Sequence, residues 1–255
     1  MDLPISNIAQ KIDVSAVRTD SSDERVIEAV DCARKYGCYL VTVLPCQNRL
    51  LKELLQGRQT PKAGGNVGFP SGGQTTSIKV LETKELVRLG VDEIDMVMNI
   101  GFLKSGFYDR VKEDILAVKK VACGTSLKVI VESMLLNDEQ LIHACKIVMD
   151  CGANYVKSGT GFSANPTTYH HVALMKKTIG NNLKLKVAGG VRNLQTLLNM
   201  YVMGANRFGI GVSSAIGIME EALKYKDGIE LPNLVDGIPP QEKQPEGLAG
   251  QQSTY

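Results

Sequence analysis

Short apolar runs alternate along the chain with longer stretches in which apolar positions recur every three or four residues. The short runs begin at Ile12 (IDVSAV), Tyr39 (YLVTVL), Asn66 (NVGF), Glu93 (EIDMVM), Leu127 (LKVIVE), Tyr155 (YVKSG), Leu185 (LKVAGG) and Arg207 (RFGIG). Several are apolar without strict alternation, as in parallel strands covered on both faces. After the first run, Val26, Ala29, Val30 and Ala33 form a helical stripe. Ser21 and Glu24 make a capping box ahead of it, and Gly37 follows its end. Val111, Ile115, Val118 and Ala122 repeat the stripe further on. The first three gaps between runs are each 27 residues, and the later ones are 34, 28, 30 and 22. That spacing predicts eight strand-turn-helix units, the content of a single (β/α)8 TIM barrel over residues 1–231. A doubly wound sheet is the competing architecture. It requires a Gly-rich fingerprint after the first strand, and IDVSAVRTDSS has none. Residues 232–255, rich in Pro, Gly and Gln without helical periodicity, are expected to form a flexible tail.

Composition narrows the partners. The 255 residues are 44% hydrophobic and 22% charged, with a formal net charge of +2, so neither a nucleic acid nor a membrane is an expected partner. No apolar run approaches 18 residues, and MDLPISNIAQKID lacks the basic start and apolar stretch of a signal peptide. A cytoplasmic location is expected. The cysteines Cys32, Cys38, Cys46, Cys123, Cys145 and Cys151 include no C-x-x-C pair and are read as free, buried small hydrophobes. His143, His170 and His171 lack the spacing of a metal site and are read as surface or helix-start residues.

Two runs carry a lysine where a core side chain belongs: Lys157 in YVKSGTGF and Lys186 in LKLKVAGGVR. Alternation turns Lys157 and Lys186 inward if Val156, Leu185 and Val187 face the outer helices, and it sets Asp95 and Val97 on one face of their strand. Two lysines and a carboxylate then converge at the C-terminal ends of barrel strands, where such barrels do their chemistry. Burial and a neighbouring cation lower a lysine's pKa, and a neutral amine forms a Schiff base with a carbonyl. Asp95 can relay protons to the substrate hydroxyl. This chemistry calls for no metal and no cofactor. The small residues after Lys157 favour it as nucleophile, with Lys186 as the tuning cation; the reverse assignment stays open, as does a purely structural pairing with acids. The turns AGGVR and GIGVSSAIG lie where this fold builds phosphate sites, making Gly189, Gly190, Gly211, Ser213 and Ser214 candidates. A phosphosugar isomerase without a covalent step and a non-catalytic phosphosugar sensor are the alternatives from other classes.

DEIDMVMNIGFLKSGFYDRVKEDI, LKVIVES, ANYVKSGTGF and KVAGGVR, supported by NVGFPSGG, resemble in order and spacing the deoxyribose-phosphate aldolases. The resemblance spans nearly the whole chain. It implies a class I TIM-barrel lyase that reversibly cleaves 2-deoxyribose 5-phosphate to glyceraldehyde 3-phosphate and acetaldehyde, in the service of deoxyribonucleotide and carbohydrate breakdown. It implies Lys157 as the Schiff-base residue, Lys186 as the second lysine and Asp95 as the proton relay. Asp13 and Thr160 join the substrate-binding set, and Gly189, Gly190, Ser213 and Ser214 form the phosphate turns. Tyr255 matches a terminal tyrosine that some members bring to the active site to move the enamine proton. The partners implied are a phosphosugar and an aldehyde, with a homodimer as the assembly considered. The chain departs from the family at Val14 and Ser15, at Thr42 where a cysteine is common, at Ser158 and Gly159, at Ser133 after Glu132, and in the extra GIG before VSS. These departures change the lining. A related sugar phosphate or a different aldehyde, handled by the same mechanism, is therefore the alternative substrate.

Overall fold

The computed structural model describes residues 2–57, 60–122, 124–225 and 228–233. Tyr255 and the rest of the expected tail beyond Asn233 lie outside the described residues. Eight parallel strands close into a barrel: β2 (Ile12–Ala16), β3 (Leu40–Val43), β4 (Lys62–Val67), β5 (Glu93–Val97), β6 (Ser126–Ile130), β7 (Tyr155–Lys157), β8 (Lys184–Ala188) and β9 (Arg207–Gly211). They pair in sequence order, and β9 closes on β2 through Ile12↔Phe208 and Val14↔Ile210. The fold is the (β/α)8 barrel that the spacing predicted.

Helices cover the outside: α2 (Asp23–Tyr36), α3 (Asn48–Leu54), α4 (Thr76–Leu89), α5 (Ile100–Lys104), α6 (Tyr108–Val121), α7 (Asp138–Asp150), α8 (Tyr169–Ile179), α9 (Leu194–Val202) and α10 (Val212–Ala222). Helix α1 (Ile5–Ala9) precedes the barrel and buries Ile8 and Ala9. A two-stranded antiparallel ribbon joins β1 (Asp2–Leu3) to β10 (Ile229–Glu230). None of the described helices is long and apolar enough to cross a membrane.

The main core is a layer between strands and helices. Val14, Val41, Ile94, Met96, Val129, Val156, Leu185, Val187 and Phe208 point outward from the strands. They meet the stripe of Val26, Ala29, Val30 and Ala33 on α2 and that of Val111, Ile115 and Val118 on α6. Each such Val, Leu, Ile, Met or Phe side chain contributes roughly 1.5–3 kcal/mol by leaving water. Because strand side chains alternate, filling this layer with apolar residues leaves the inward positions free for polar ones.

Three local expectations are corrected. Helix α2 begins after Ser22, not Ser21, so Glu24 falls one position short of a capping box; Gly37 ends the helix in the left-handed region (φ 72°) as expected. Strand β4 begins at Lys62, four residues before the run at Asn66. Its Gly64 and Gly65 hide it from an apolar pattern, yet they are needed. A Cβ at Gly64 would lie 2.7 Å from Leu40, and one at Gly65 would lie 2.7 Å from Leu86. Among the cysteines, Cys32, Cys38, Cys145 and Cys151 are buried as expected, but Cys46 is exposed in the short 3-10 turn Pro45–Gln47 after β3. Cys123 lies outside the described residues.

Candidate active site

Inward-facing side chains from six strands meet in one buried ionic cluster. Asp95 on β5 is its hub: Oδ2 accepts from Lys157 Nζ at 2.7 Å and from Lys186 Nζ at 2.8 Å, while Oδ1 accepts from Lys128 Nζ at 2.7 Å. Lys128 also pairs with Glu93 Oε2 at 2.8 Å, and Lys186 with Asp13 Oδ2 at 2.6 Å. Arg207 closes the base, donating to Asp13 Oδ1 at 2.9 Å and lying 3.6 Å above the Tyr39 ring centroid. Gly209 lies beside this layer, where a Cβ would press to 3.0 Å from Ala188 Cβ and touch Lys186 Cε at 3.4 Å.

The cluster holds three carboxylates (Asp13, Glu93, Asp95) and four basic side chains (Lys128, Lys157, Lys186, Arg207). An unbalanced buried charge is expensive, so one basic group is under pressure to shed its proton. The shifts say which one. Burial lowers the Lys157 pKa, the attraction of Asp95 opposes that, and the Lys186 charge lowers it further; the result is about 8. Burial disfavours the charged form of Lys128 too, but Asp95, Asp13 and Glu93 overcome it and the pKa rises. Burial would raise the Asp95 carboxyl, but Lys128, Lys157 and Lys186 hold it well below the carboxylate range. Asp13 is likewise lowered, against burial, by Lys186, Lys128 and Arg207.

A cavity of about 180 Å³ opens above this cluster, at the C-terminal ends of the strands. Lys157 is the one lysine among its lining residues; Lys186, Lys128, Asp95 and Asp13 lie behind it. Ser15, Thr42 and Asn66 give one wall, and Thr160, Gly161 and Phe162 the wall that follows Lys157. Asn66 donates to Thr42 Oγ1 at 3.1 Å and to the Val43 carbonyl at 2.7 Å, so the two polar side chains act as a pair.

The far end suits an anion. Gly189, Gly190, Gly211 and Ser214 line it, and Gly211 is the N-cap of α10, whose free N–H groups and positive end favour phosphate. Gly189 (φ 84°) and Gly190 (φ 109°) adopt a turn that a side chain would strain. Arg18 and Arg192 add positive charge at the rim, and Arg18 lies 4.9 Å from the Phe162 ring centroid. Ser213 departs from the expected set: it is exposed and accepts from Arg25 at 3.0 Å, and it is not among the lining residues.

Thus Lys157, Thr160, Gly189, Gly190, Gly211 and Ser214 share the cavity, and Lys186, Asp95 and Asp13 form the charged layer under it. Lys128, Glu93, Arg207, Asn66 and Arg18 were not singled out from the sequence. Lys128 offered the same signal as the other two lysines, a basic residue inside an apolar run. The histidines stay outside: His170 pairs with Asp138 at 2.8 Å on the surface, His171 caps α8 with Thr168, and His143 stacks on Tyr108.

Comparison with known proteins agrees with this geometry. The DeoC/LacD family aldolase pattern matches residues 14–218. A deoxyribose-phosphate aldolase of Geobacillus sp. (strain WCH70) is 41% identical over 216 residues, 84% of this chain and 96% of that protein. One from Thermococcus gammatolerans is 41% identical over 219 residues, 85% of this chain and 96% of that protein. Among solved structures, a putative deoxyribose-phosphate aldolase from Coccidioides immitis superposes with a TM-score of 0.82 at 31% identity, covering 87% of each chain.

Proposed function

The chain belongs to the DeoC/LacD family of aldolases, and from that membership we propose that it reversibly cleaves 2-deoxy-D-ribose 5-phosphate to D-glyceraldehyde 3-phosphate and acetaldehyde. Neutral Lys157 attacks the C1 aldehyde of the open-chain sugar, and loss of water gives a protonated imine. The C3 hydroxyl then gives up its proton, the C2–C3 bond breaks, and its electron pair passes into the imine to form an enamine. Glyceraldehyde 3-phosphate leaves. Protonation of the enamine carbon and hydrolysis of the imine release acetaldehyde and restore the amine.

The observation that carries this reading is that Lys157 alone of the clustered lysines borders the cavity, with a pKa lowered to about 8. Asp95 fixes the amine through its 2.7 Å contact and passes protons toward the substrate through water, since three lysines already surround its carboxylate. Lys186 keeps the Lys157 amine from holding its proton. Gly189, Gly190, Ser214 and the start of α10 receive the phosphate. The reading also includes a cytoplasmic place in deoxyribonucleotide breakdown. The polar pair Thr42 and Asn66 in the wall favours a second reading, a more hydroxylated sugar phosphate cleaved by the same steps.

Reduction with borohydride after adding acetaldehyde, followed by peptide mass spectrometry, tests the mechanism. A two-carbon adduct on Lys157 is expected. An adduct on Lys186, or none, overturns the assignment. Cleavage assays on a panel of phosphorylated sugars test the substrate, and a faster turnover of any other sugar phosphate replaces it.

A further inference from the structure

We propose that Glu132 is a positioning residue of this reaction, clamping the loop that forms the cavity wall beside Lys157. The inference rests on Lys157 being the nucleophile. Glu132 follows β6 at its C-terminal end and is buried, only 5% exposed. Its backbone is left-handed (φ 48°, ψ 59°), and it is the only non-glycine residue at positive φ among the described residues. A side chain is held in that region only where its surroundings fix it, and such sites gather around reacting groups.

The surroundings are specific. Both Glu132 carboxylate oxygens accept from the Thr160 N–H, at 3.3 and 3.2 Å, and Oε2 also accepts from the Thr160 hydroxyl at 2.5 Å. Thr160 Oγ1 accepts in turn from the Phe162 N–H at 3.0 Å. The residues on either side of Glu132 grip the same loop: the Val131 N–H donates to the Lys157 carbonyl at 2.9 Å, and the Ser133 N–H to the Ser158 carbonyl at 2.7 Å. The end of β6 therefore holds the nucleophile's own peptide and the wall next to it. The clamp also accounts for Gly159, because a Cβ there would sit 2.5 Å from the Met134 methyl and 3.0 Å from Glu132 Oε1. Burial pushes the Glu132 carboxyl upward, against the Thr160 hydrogen bonds and the nearby Lys157 charge.

Glu132 is not among the cavity-lining residues, whereas Thr160 is. Its effect passes through the loop. A displacement of about 1 Å at a reacting group can cost on the order of 10²-fold in rate.

The test compares Glu132→Ala, Glu132→Gln, Thr160→Val, Thr160→Ser and the double variant Glu132→Ala/Thr160→Val, by steady-state kinetics and by the rate of borohydride trapping. Glu132→Ala and Thr160→Val are expected to lose about 30- to 100-fold in kcat/KM and to trap more slowly. Glu132→Gln and Thr160→Ser, which keep an acceptor and a hydroxyl, are expected to recover most of that loss. The double variant is expected to be no worse than Glu132→Ala, because both changes break one contact. Losses that multiply in the double variant overturn the clamp. So does a Glu132→Gln variant as slow as Glu132→Ala, which would assign the carboxylate's charge instead. If Glu132→Ala does not fold, Thr160→Val matching Thr160→Ser in activity overturns it. A wild-type enzyme that yields no adduct overturns the nucleophile assignment, and this inference with it.

Discussion

Among the described residues, two places bury lysines away from water. Outside the barrel, Lys79 on α4 is fully buried and pairs with Asp114 on α6 at 2.6 Å. Lys79 also donates to the Val97 carbonyl at 3.0 Å, and Thr76 donates to the other Asp114 oxygen at 2.9 Å. Inside the barrel, three carboxylates face four basic side chains. The outer pair has matched charges and satisfied hydrogen bonds, and it joins helices. The inner cluster has one basic group more than the carboxylates paired within it, the nearby Glu132 being held by Thr160, and the surplus is placed where a cavity meets it. Buried lysines thus serve opposite ends here, and charge parity tells them apart.

The largest expected effect would break the outer pair. Asp114→Leu leaves Lys79 buried without a counter-charge and should destabilise the fold by about 3–5 kcal/mol in urea unfolding. The Lys79→Met/Asp114→Leu double variant should recover most of that loss, and neither should move the pH midpoint of turnover. A moved midpoint would show that the two sites are coupled. A somewhat smaller effect lies in the pH dependence of stability. Lys157 has a folded pKa of about 8, below its unfolded value, so the folded state binds fewer protons between about pH 8 and 10.5. Its burial penalty is present in full below pH 8 and fades as pH rises. Wild type should therefore gain up to roughly 3 kcal/mol relative to Lys157→Met across that window. Parallel stability curves would remove Lys157 as the surplus group. The smallest expected effect sharpens the inner site. Lys186→Met deletes a charge that lowers the Lys157 pKa, so the midpoint of kcat/KM should rise above 8, with a rate loss of roughly 10² at neutral pH. A midpoint that falls or stays fixed would count against Lys186 as the tuning cation.

The barrel was legible because its outward strand positions are apolar and its helices carry periodic stripes, as in Val26 to Ala33. Where glycine replaces that signal, as at Gly64 and Gly65, the start of β4 was missed. Lys157 and Lys186 stood out because each breaks an apolar run. Lys128 breaks LKVIVE in the same way, but its partner Asp95 lies 33 residues earlier and meets it only through the β5–β6 register. Glu93 and Arg207 open their strands, where a charge reads as a solvated end. Closure of the barrel turns those ends inward, and no local pattern reports that. Ser213 and Ser214 are adjacent and alike in sequence; the first turn of α10 points only Ser214 at the cavity.

The ionic cluster draws on β2, β5, β6, β7, β8 and β9, and its contacts to Asp13 form only once the ring has shut between its last and first staves. The groups that act on the amine at position 157, Asp95, Lys128 and Lys186, sit on β5, β6 and β8, which with β7 make one unbroken arc. The seam supplies Asp13 as a brace behind Lys186, so parting β9 from β2 should cost the cluster the Lys186 and Arg207 contacts to Asp13 before it disturbs the arc around position 157.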